Sequence, residues 1–83
     1  MIAYRIETMP DDNGTLLVTC PAFPELTTFG PNKPRQLLSV ARAAIEEAIA
    51  ARLSDGEGLP RPATKAERSR RKGLYVTLSL PTS

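Results

Sequence analysis

The chain of 83 residues contains no histidine and one cysteine, Cys20. Without an imidazole it has no histidine base, no catalytic triad of the common kind and no His-ligated zinc. One thiol cannot form an internal disulfide or a cysteine-rich metal site, so we expect no metal and no cofactor. Cys20 has no histidine to activate it, and it stands at the inward end of a predicted strand, where it fits a small buried group.

Long apolar runs are also missing. No stretch approaches the roughly 20 apolar residues that span a bilayer, and the first residues lack the continuous apolar stretch of a signal peptide. A chain without disulfides suits a reducing compartment, so we expect a cytoplasmic protein with no membrane contact. Its 41% apolar and 24% charged residues are an ordinary globular balance, and its length fits one small domain over residues 1–83.

The net charge of +2 hides an asymmetry along the chain. Residues 1–60 carry five basic and eight acidic side chains, which gives −3. Residues 61–72, called the basic segment below, carry six basic and one acidic side chain, which gives +5. Such a block indicates either contact with a polyanion or a solvated connector.

Period-two alternation of apolar and polar residues predicts several strands. We place them at residues 2–9, 15–20, 26–29 and 74–80. The Pro-Asp-Asp-Asn-Gly sequence at residues 10–14 is typical of a hairpin turn.

A proline-rich corner follows the second predicted strand. Pro21 and Pro24 are expected to end this strand, because proline donates no hydrogen bond to a ladder. Phe23, between them, is expected to anchor the corner in the core.

The apolar spacing changes to three and four residues over residues 33–54, which predicts an amphipathic helix. Asn32 is the expected N-cap, and Pro34 is acceptable in the first turn. Gly56 is expected to end the helix in a left-handed conformation. Thr64 to Glu67 matches a capping box, which predicts a short basic helix from about Lys65.

The predicted order is β-β-β-α-(short α)-β, an α+β fold. The long helix would cover one face of a small antiparallel or mixed sheet. Nothing else in the chain is predicted to cover the other face, so we expect a protein partner or self-association into a homodimer or tetramer.

The stretch DDNGTLLVTCPAFPELTTFG, residues 11–30, resembles the HicB antitoxin family, as do the Ala-rich helix and the Asp-Gly-x-x-x-Pro turn after it. The matching residues are Asp11, Gly14, Val18, Pro21, Pro24, Thr28, Gly30, Ala41, Ala44, Ala48, Asp55, Gly56 and Pro60. The resemblance covers about residues 1–60 and, by order and character, the last strand.

The resemblance implies a partial RNase H-like fold and an antitoxin function. Members of the family bind a small mRNA-cleaving HicA-type toxin and keep it from its substrate. Many members also carry a C-terminal DNA-binding domain, for which we expect no room before Ser83. The chain departs from the family pattern at Glu25-Leu26, at Pro31 and in the basic segment.

Direct nucleic-acid cleavage would need several carboxylates converging on metal ions. The candidates in the strand region are Glu7, Asp11, Asp12 and Glu25. Asp11 and Asp12 lie in a predicted turn, where aspartate is favoured by backbone hydrogen bonding alone. Nothing in the sequence brings the four together, so we expect a protein that is not an enzyme.

Two sets of residues are candidate binding residues. An acidic surface would attract a cationic toxin, and apolar anchors beside it would supply binding free energy. This set is Asp11, Asp12, Phe23, Glu25 and Leu26; its apolar members are also expected core residues. The alternative function is nucleic-acid binding, nonspecific and dependent on salt, through Arg61, Lys65, Arg68, Arg70, Arg71 and Lys72.

Overall fold

A computed structural model describes residues 1–79 and places a four-stranded antiparallel sheet beside one long helix. The elements are β1 (Ile2–Pro10), β2 (Thr15–Cys20), β3 (Phe23–Pro31), α1 (Pro34–Ser54), α2 (Lys65–Arg70) and β4 (Leu74–Leu78). The predicted α+β class and element order are confirmed, and all strand pairs are antiparallel. The predicted end of the last strand at Leu80 lies outside the described residues.

The sheet has the order β3-β2-β1-β4, so β1 lies between the second and the last strand. Its second half pairs with β2, from Glu7 opposite Thr19 onwards, and its first half pairs with β4. β2 ends before it reaches the level of Ala3. There the backbone N–H of Ala63 donates to the Ala3 carbonyl at 2.8 Å, so the chain after α1 supplies a hydrogen bond to β1 where β2 does not reach.

β3 is longer than the sequence predicted. It begins at Phe23 rather than Leu26 and includes both Pro24 and Pro31. β2 ends at Cys20, so the expectation that the proline corner ends the second strand is confirmed. The predicted start of β3 at Leu26 is wrong, because β3 is an edge strand, where a proline can leave a backbone hydrogen bond unmade. A register shift at Thr19/Cys20 brings Cys20 opposite Phe23 across the tight turn.

α1 packs on one face of the sheet, called the inner face, through residues at helical spacing. Its buried residues are Leu37, Ala41, Ile45 and Ile49. Leu53, four residues after Ile49, is 52% exposed. The N-cap is Lys33, without a side-chain cap, so the prediction of Asn32 is wrong; Gly56 has φ +73° as predicted.

The core between α1 and the inner face is small. Its fully buried large side chains include Tyr4, Phe23 and Ile45. The rings of Tyr4 and Phe23 meet edge to face with centroids 5.0 Å apart, a favourable aromatic geometry. The Tyr4 hydroxyl donates to the Pro60 carbonyl at 2.8 Å, which ties the chain after α1 to the core.

The opposite side of the sheet, called the outer face, is covered over part of its area. Ala3 points outward by strand alternation, yet it is only 2% exposed. Tyr75 donates its hydroxyl to the Arg71 carbonyl at 3.0 Å, and Gly73 lies against Arg5. The expectation of a wholly uncovered face is therefore wrong for the half formed by β1 and β4, where the basic segment lies.

α2 and β4 are the last two elements of the described chain. The predicted capping box is confirmed, with the Glu67 N–H donating to the Thr64 hydroxyl at 3.1 Å. α2 ends at Arg70, and none of its residues is buried. In β4, Val76 and Leu78 are buried in the core, while Leu74 at the strand's start is 40% exposed.

Candidate partner-binding surface and arginine cavity

A row of three apolar side chains crosses the uncovered half of the outer face. Met9 pairs with Leu17, and Leu17 pairs with Phe29, so the three lie side by side on β1, β2 and β3. Met9 is 62% exposed and Phe29 55% exposed. We call these three residues the apolar row; it is a patch that neither helix covers.

The hairpin turn between β1 and β2 stands next to the apolar row. Asp11 and Asp12 are exposed there. The Asp11 N–H donates to the Thr15 carbonyl at 3.0 Å, and the Thr15 hydroxyl approaches the Asp11 carboxylate at 3.5 Å. Gly14 has φ +74°, which a side chain at this position would strain. We call residues 11–14 the acidic turn; it places two carboxylates beside the apolar row.

The other three predicted binding residues lie at a different place, near the start of β3. Phe23 is fully buried and Leu26 is 7% exposed, so both contribute to the core and offer little surface to a partner. Glu25 accepts two hydrogen bonds from Arg52, both at 2.9 Å. The side-chain hydrogen bond from Arg52 lowers the pKa of Glu25, and the same guanidinium stacks over the Phe23 ring at 5.0 Å.

The carboxylates considered for catalysis stay apart. Glu7 is 3.6 Å from Arg5, Asp11 and Asp12 are in the acidic turn, and Glu25 is bound to Arg52. Within residues 1–79, no group of three or more potential ligands is placed to hold a metal ion. Burial raises the pKa of the Cys20 thiol, which donates to the Arg5 carbonyl at 3.2 Å, so the group is held in its unreactive form.

No protein-family model matches this chain, and no characterised protein matches it in sequence. Over the described part of the chain, no helix has the length and apolar character needed to cross a bilayer.

The basic segment divides into two groups in the structure. Lys65, Arg68 and Arg70 are exposed on α2, and Lys72 follows them, also exposed. Arg61 instead forms a two-point ion pair with Glu67, at 3.0 and 3.5 Å. The hydrogen bond from the Thr64 backbone, and after it that from Arg61, lowers the pKa of Glu67.

A cavity of about 340 Å³ lies between the covered half of the outer face and the basic segment. Arg5 from β1, Arg61 from the connector and Arg71 after α2 all line it. The other lining residues are Tyr4, Glu7, Pro21, Ala22, Pro62, Ala63, Glu67 and Tyr75. We call this the arginine cavity.

Sequence reasoning missed both the apolar row and the arginine cavity as units. Alternation alone places Leu17 and Tyr75 outward, but it does not say which residues of other strands lie beside them. Met9 meets Leu17 through the hairpin, which the turn sequence could have indicated. Arg5 meets Tyr75 only through the pairing of β1 with β4, which joins residues 70 positions apart and has no local signal.

Proposed function

We propose that this domain is a HicB-like antitoxin, which neutralises a small mRNA-cleaving HicA-type toxin by binding it in a fixed ratio and covering its catalytic and RNA-binding surface. The main support is the apolar row beside the acidic turn. An exposed apolar patch with charged neighbours is typical of a protein-binding surface. The resemblance over about residues 1–60 is the reason to propose a HicA-type toxin as the partner.

Charge supports a cationic partner at this surface. Residues 1–60 have a net charge of −3, and Asp11 and Asp12 extend beside the apolar row. A toxin that binds RNA needs a cationic surface, so opposite charges would speed the encounter and select the partner. Met9 and Phe29 would then supply the apolar contacts that usually dominate binding free energy.

An inhibition assay with a HicA-type ribonuclease from a neighbouring reading frame tests the proposal. The rate of RNA cleavage is measured while this chain is titrated into a fixed amount of toxin. We expect inhibition to be complete at a fixed ratio of the two proteins. A double change, Met9→Lys with Phe29→Lys, adds cations to the row and should weaken binding by about 30-fold or more.

The matched control is Leu53→Lys, which changes a side chain of similar exposure on the helical side of the molecule. It should inhibit like the unchanged chain. The proposal fails if the toxin keeps full activity with this protein in excess. It also fails if the double variant inhibits as well as the Leu53 variant does.

A second copy of this chain is the competing occupant of the apolar row. Light scattering on the chain alone measures this directly. A dimer or tetramer that the Met9/Phe29 double variant converts to a monomer would assign the row to self-association and move the toxin contact elsewhere.

The alternative function, nucleic-acid binding through the basic segment, has one structural observation in its favour. Arg68, Arg70 and Lys72 form no ion pair with any carboxylate in residues 1–79. Binding to a random duplex should then weaken steeply with salt, and changing these three residues to alanine should abolish it. A duplex affinity that does not respond to salt or to these changes excludes this function.

A further inference from the structure

The arginine cavity has no part in the proposed antitoxin function, and its lining suggests a ligand. We propose that it binds a phosphate monoester, either the phosphate of a free mononucleotide or the terminal phosphate of a nucleic-acid strand. This site lies under the basic segment, apart from the apolar row, and does not depend on the antitoxin proposal.

Three arginines reach one cavity from three separate parts of the chain. Arg5 comes from the middle of β1, Arg61 from the extended connector and Arg71 from the residue after α2. A guanidinium offers several N–H donors in a flat fork that matches phosphate oxygens. Because they come from separate parts of the chain, the three arginines can contact one anionic group from several sides.

The charged side chains that line the cavity have a positive sum, which favours the binding of an anion. Glu7 is 3.6 Å from Arg5, and Glu67 is 3.0 Å from Arg61. Arg71 makes no ion pair with a carboxylate of the described chain. The lining therefore carries three positive and two negative side chains, a net charge of +1.

Arg5 contributes a second, independent observation. Its Nε atom is buried and has no hydrogen-bond partner within residues 1–79. A buried donor without an acceptor is costly, and an anion beside the guanidinium would reduce this cost by interacting with its charge. An anion in the cavity would therefore be favoured beside Arg5.

The Arg61 side chain and the backbone of Arg71 are held in place before any ligand arrives. The Arg71 backbone is fixed on both sides, since its N–H donates to the Glu67 carbonyl at 2.9 Å and its carbonyl accepts from Tyr75. Arg61 is bound by the same Glu67 that closes the capping box. Pre-positioned groups lose less conformational entropy on binding, which favours affinity for a small ligand.

The volume indicates an organic phosphate rather than the bare ion. About 340 Å³ lies at the lower end of the range for small-molecule sites. Beside the arginines, the wall contains the apolar side chains of Pro21, Ala22, Pro62 and Ala63. A sugar attached to the phosphate would contact these residues while the arginines hold the anionic end.

Calorimetric titration of the full chain with uridine 5′-monophosphate, and separately with uridine, tests the site. We expect the monophosphate to bind with a Kd of about 1 mM or tighter, and uridine at least about ten-fold more weakly. Arg71→Gln should weaken monophosphate binding by about ten-fold or more. Arg70→Gln, which removes the same charge outside the cavity, should change it by less than about two-fold.

The affinities of two oligonucleotides, one with and one without a 5′-phosphate, are measured next. They show whether the site binds the phosphate of a strand end or that of a free nucleotide. Preference for the phosphorylated strand over the mononucleotide assigns the site to strand ends, and the reverse preference assigns it to free nucleotides. The proposal is overturned if uridine binds as well as its monophosphate, or if neither binds up to about 10 mM. Equal weakening by the Arg70 and Arg71 changes also overturns it, because general surface charge would then explain the binding.

Discussion

Gly73 shows how a single residue can fix the position of a whole segment. Its φ of +153° lies in a region that side chains rarely adopt, and a Cβ there would come within 3.1 Å of the Arg5 Nε. At Gly73 the backbone passes close to the Arg5 side chain, so the end of the basic segment lies against the outer face just before β4 begins. The absence of a side chain at this position therefore matters both to the backbone and to the packing on Arg5.

Gly73→Ala should lower the free energy of unfolding by about 1–3 kcal/mol, because the backbone conformation becomes strained and Arg5 must move. Urea unfolding followed by circular dichroism measures the change. Gly58→Ala is the control, since a Cβ at Gly58 meets nothing within 4 Å. Equal stability of the two variants would contradict this account of Gly73.

Cys20 and Tyr4 make stability depend on alkaline pH. Burial raises the pKa of Cys20 above its ordinary value of 9.0 and raises the pKa of Tyr4 above 10.0. Both groups hold their protons more tightly in the folded chain than in the unfolded chain. Their contribution is therefore complete below about pH 9 and is lost as the pH rises through the folded pKa values.

Cys20→Ala tests this dependence on pH. Unfolding free energy measured from about pH 7 to about pH 11 should fall at the alkaline end for the unchanged chain. The variant should show a smaller fall, because Tyr4 alone then titrates with a raised pKa. A loss of stability of the same size in both chains would exclude the thiol as a cause.

Among the elements, α2 is held by its ends rather than by packing. It has six residues and none is buried, so helix formation gains little from the core. The capping box at Thr64 and the backbone contact of Arg71 with Tyr75 secure its two ends. α2 should consequently be the least stable element of the described chain.

Thr64→Ala should destabilise α2 without unfolding the sheet. The loss of the cap costs about 1 kcal/mol, so exchange of the Glu67 amide should accelerate by about five-fold in hydrogen-exchange NMR. Ser69→Ala serves as the control, because its hydroxyl only bonds back to the Lys65 carbonyl and alanine favours helix. Unchanged exchange at Glu67 in the Thr64 variant would show that another contact holds this helix.

The element boundaries show what local sequence can and cannot predict. The capping box, the hairpin turn and Gly56 depend on neighbouring residues alone, and all three are as predicted. The predicted start of β3 was wrong. Pro24 is tolerated in this strand because β3 lies at the edge of the sheet, and the order of strands in a sheet cannot be predicted from local sequence. The arginine cavity was missed for the same reason: it needs the register of β1 with β4.

For the whole molecule, stability rests on one thin core between α1 and the inner face. A domain of this size has only a few kcal/mol of net stability from its core. Ile45 is fully buried at the centre of the helix contact. Removing its side chain would therefore take away a large fraction of the total stability.

Ile45→Ala should cost about 2–5 kcal/mol and leave a large fraction of the chain unfolded at room temperature. Thermal denaturation followed by circular dichroism should show a much lower Tm or no transition. Leu53→Ala, on the same helix but half exposed, should leave the Tm nearly unchanged. If both variants melted alike, the core would not be centred on α1 as described.

The pairing of β1 with β4 also places the start of β1 beside the end of β4. Ile2 lies directly opposite Leu78, while the acidic turn stands at the other end of β1, about 27 Å away at the rise of an antiparallel strand. Fluorophores attached at Met1 or at Ser79 would thus lie at the end of the sheet remote from the apolar row. Because Ile2 and Leu78 lie side by side, a short linker between these two positions would allow a circular permutation of residues 2–78, with new ends opened at residues 57–58.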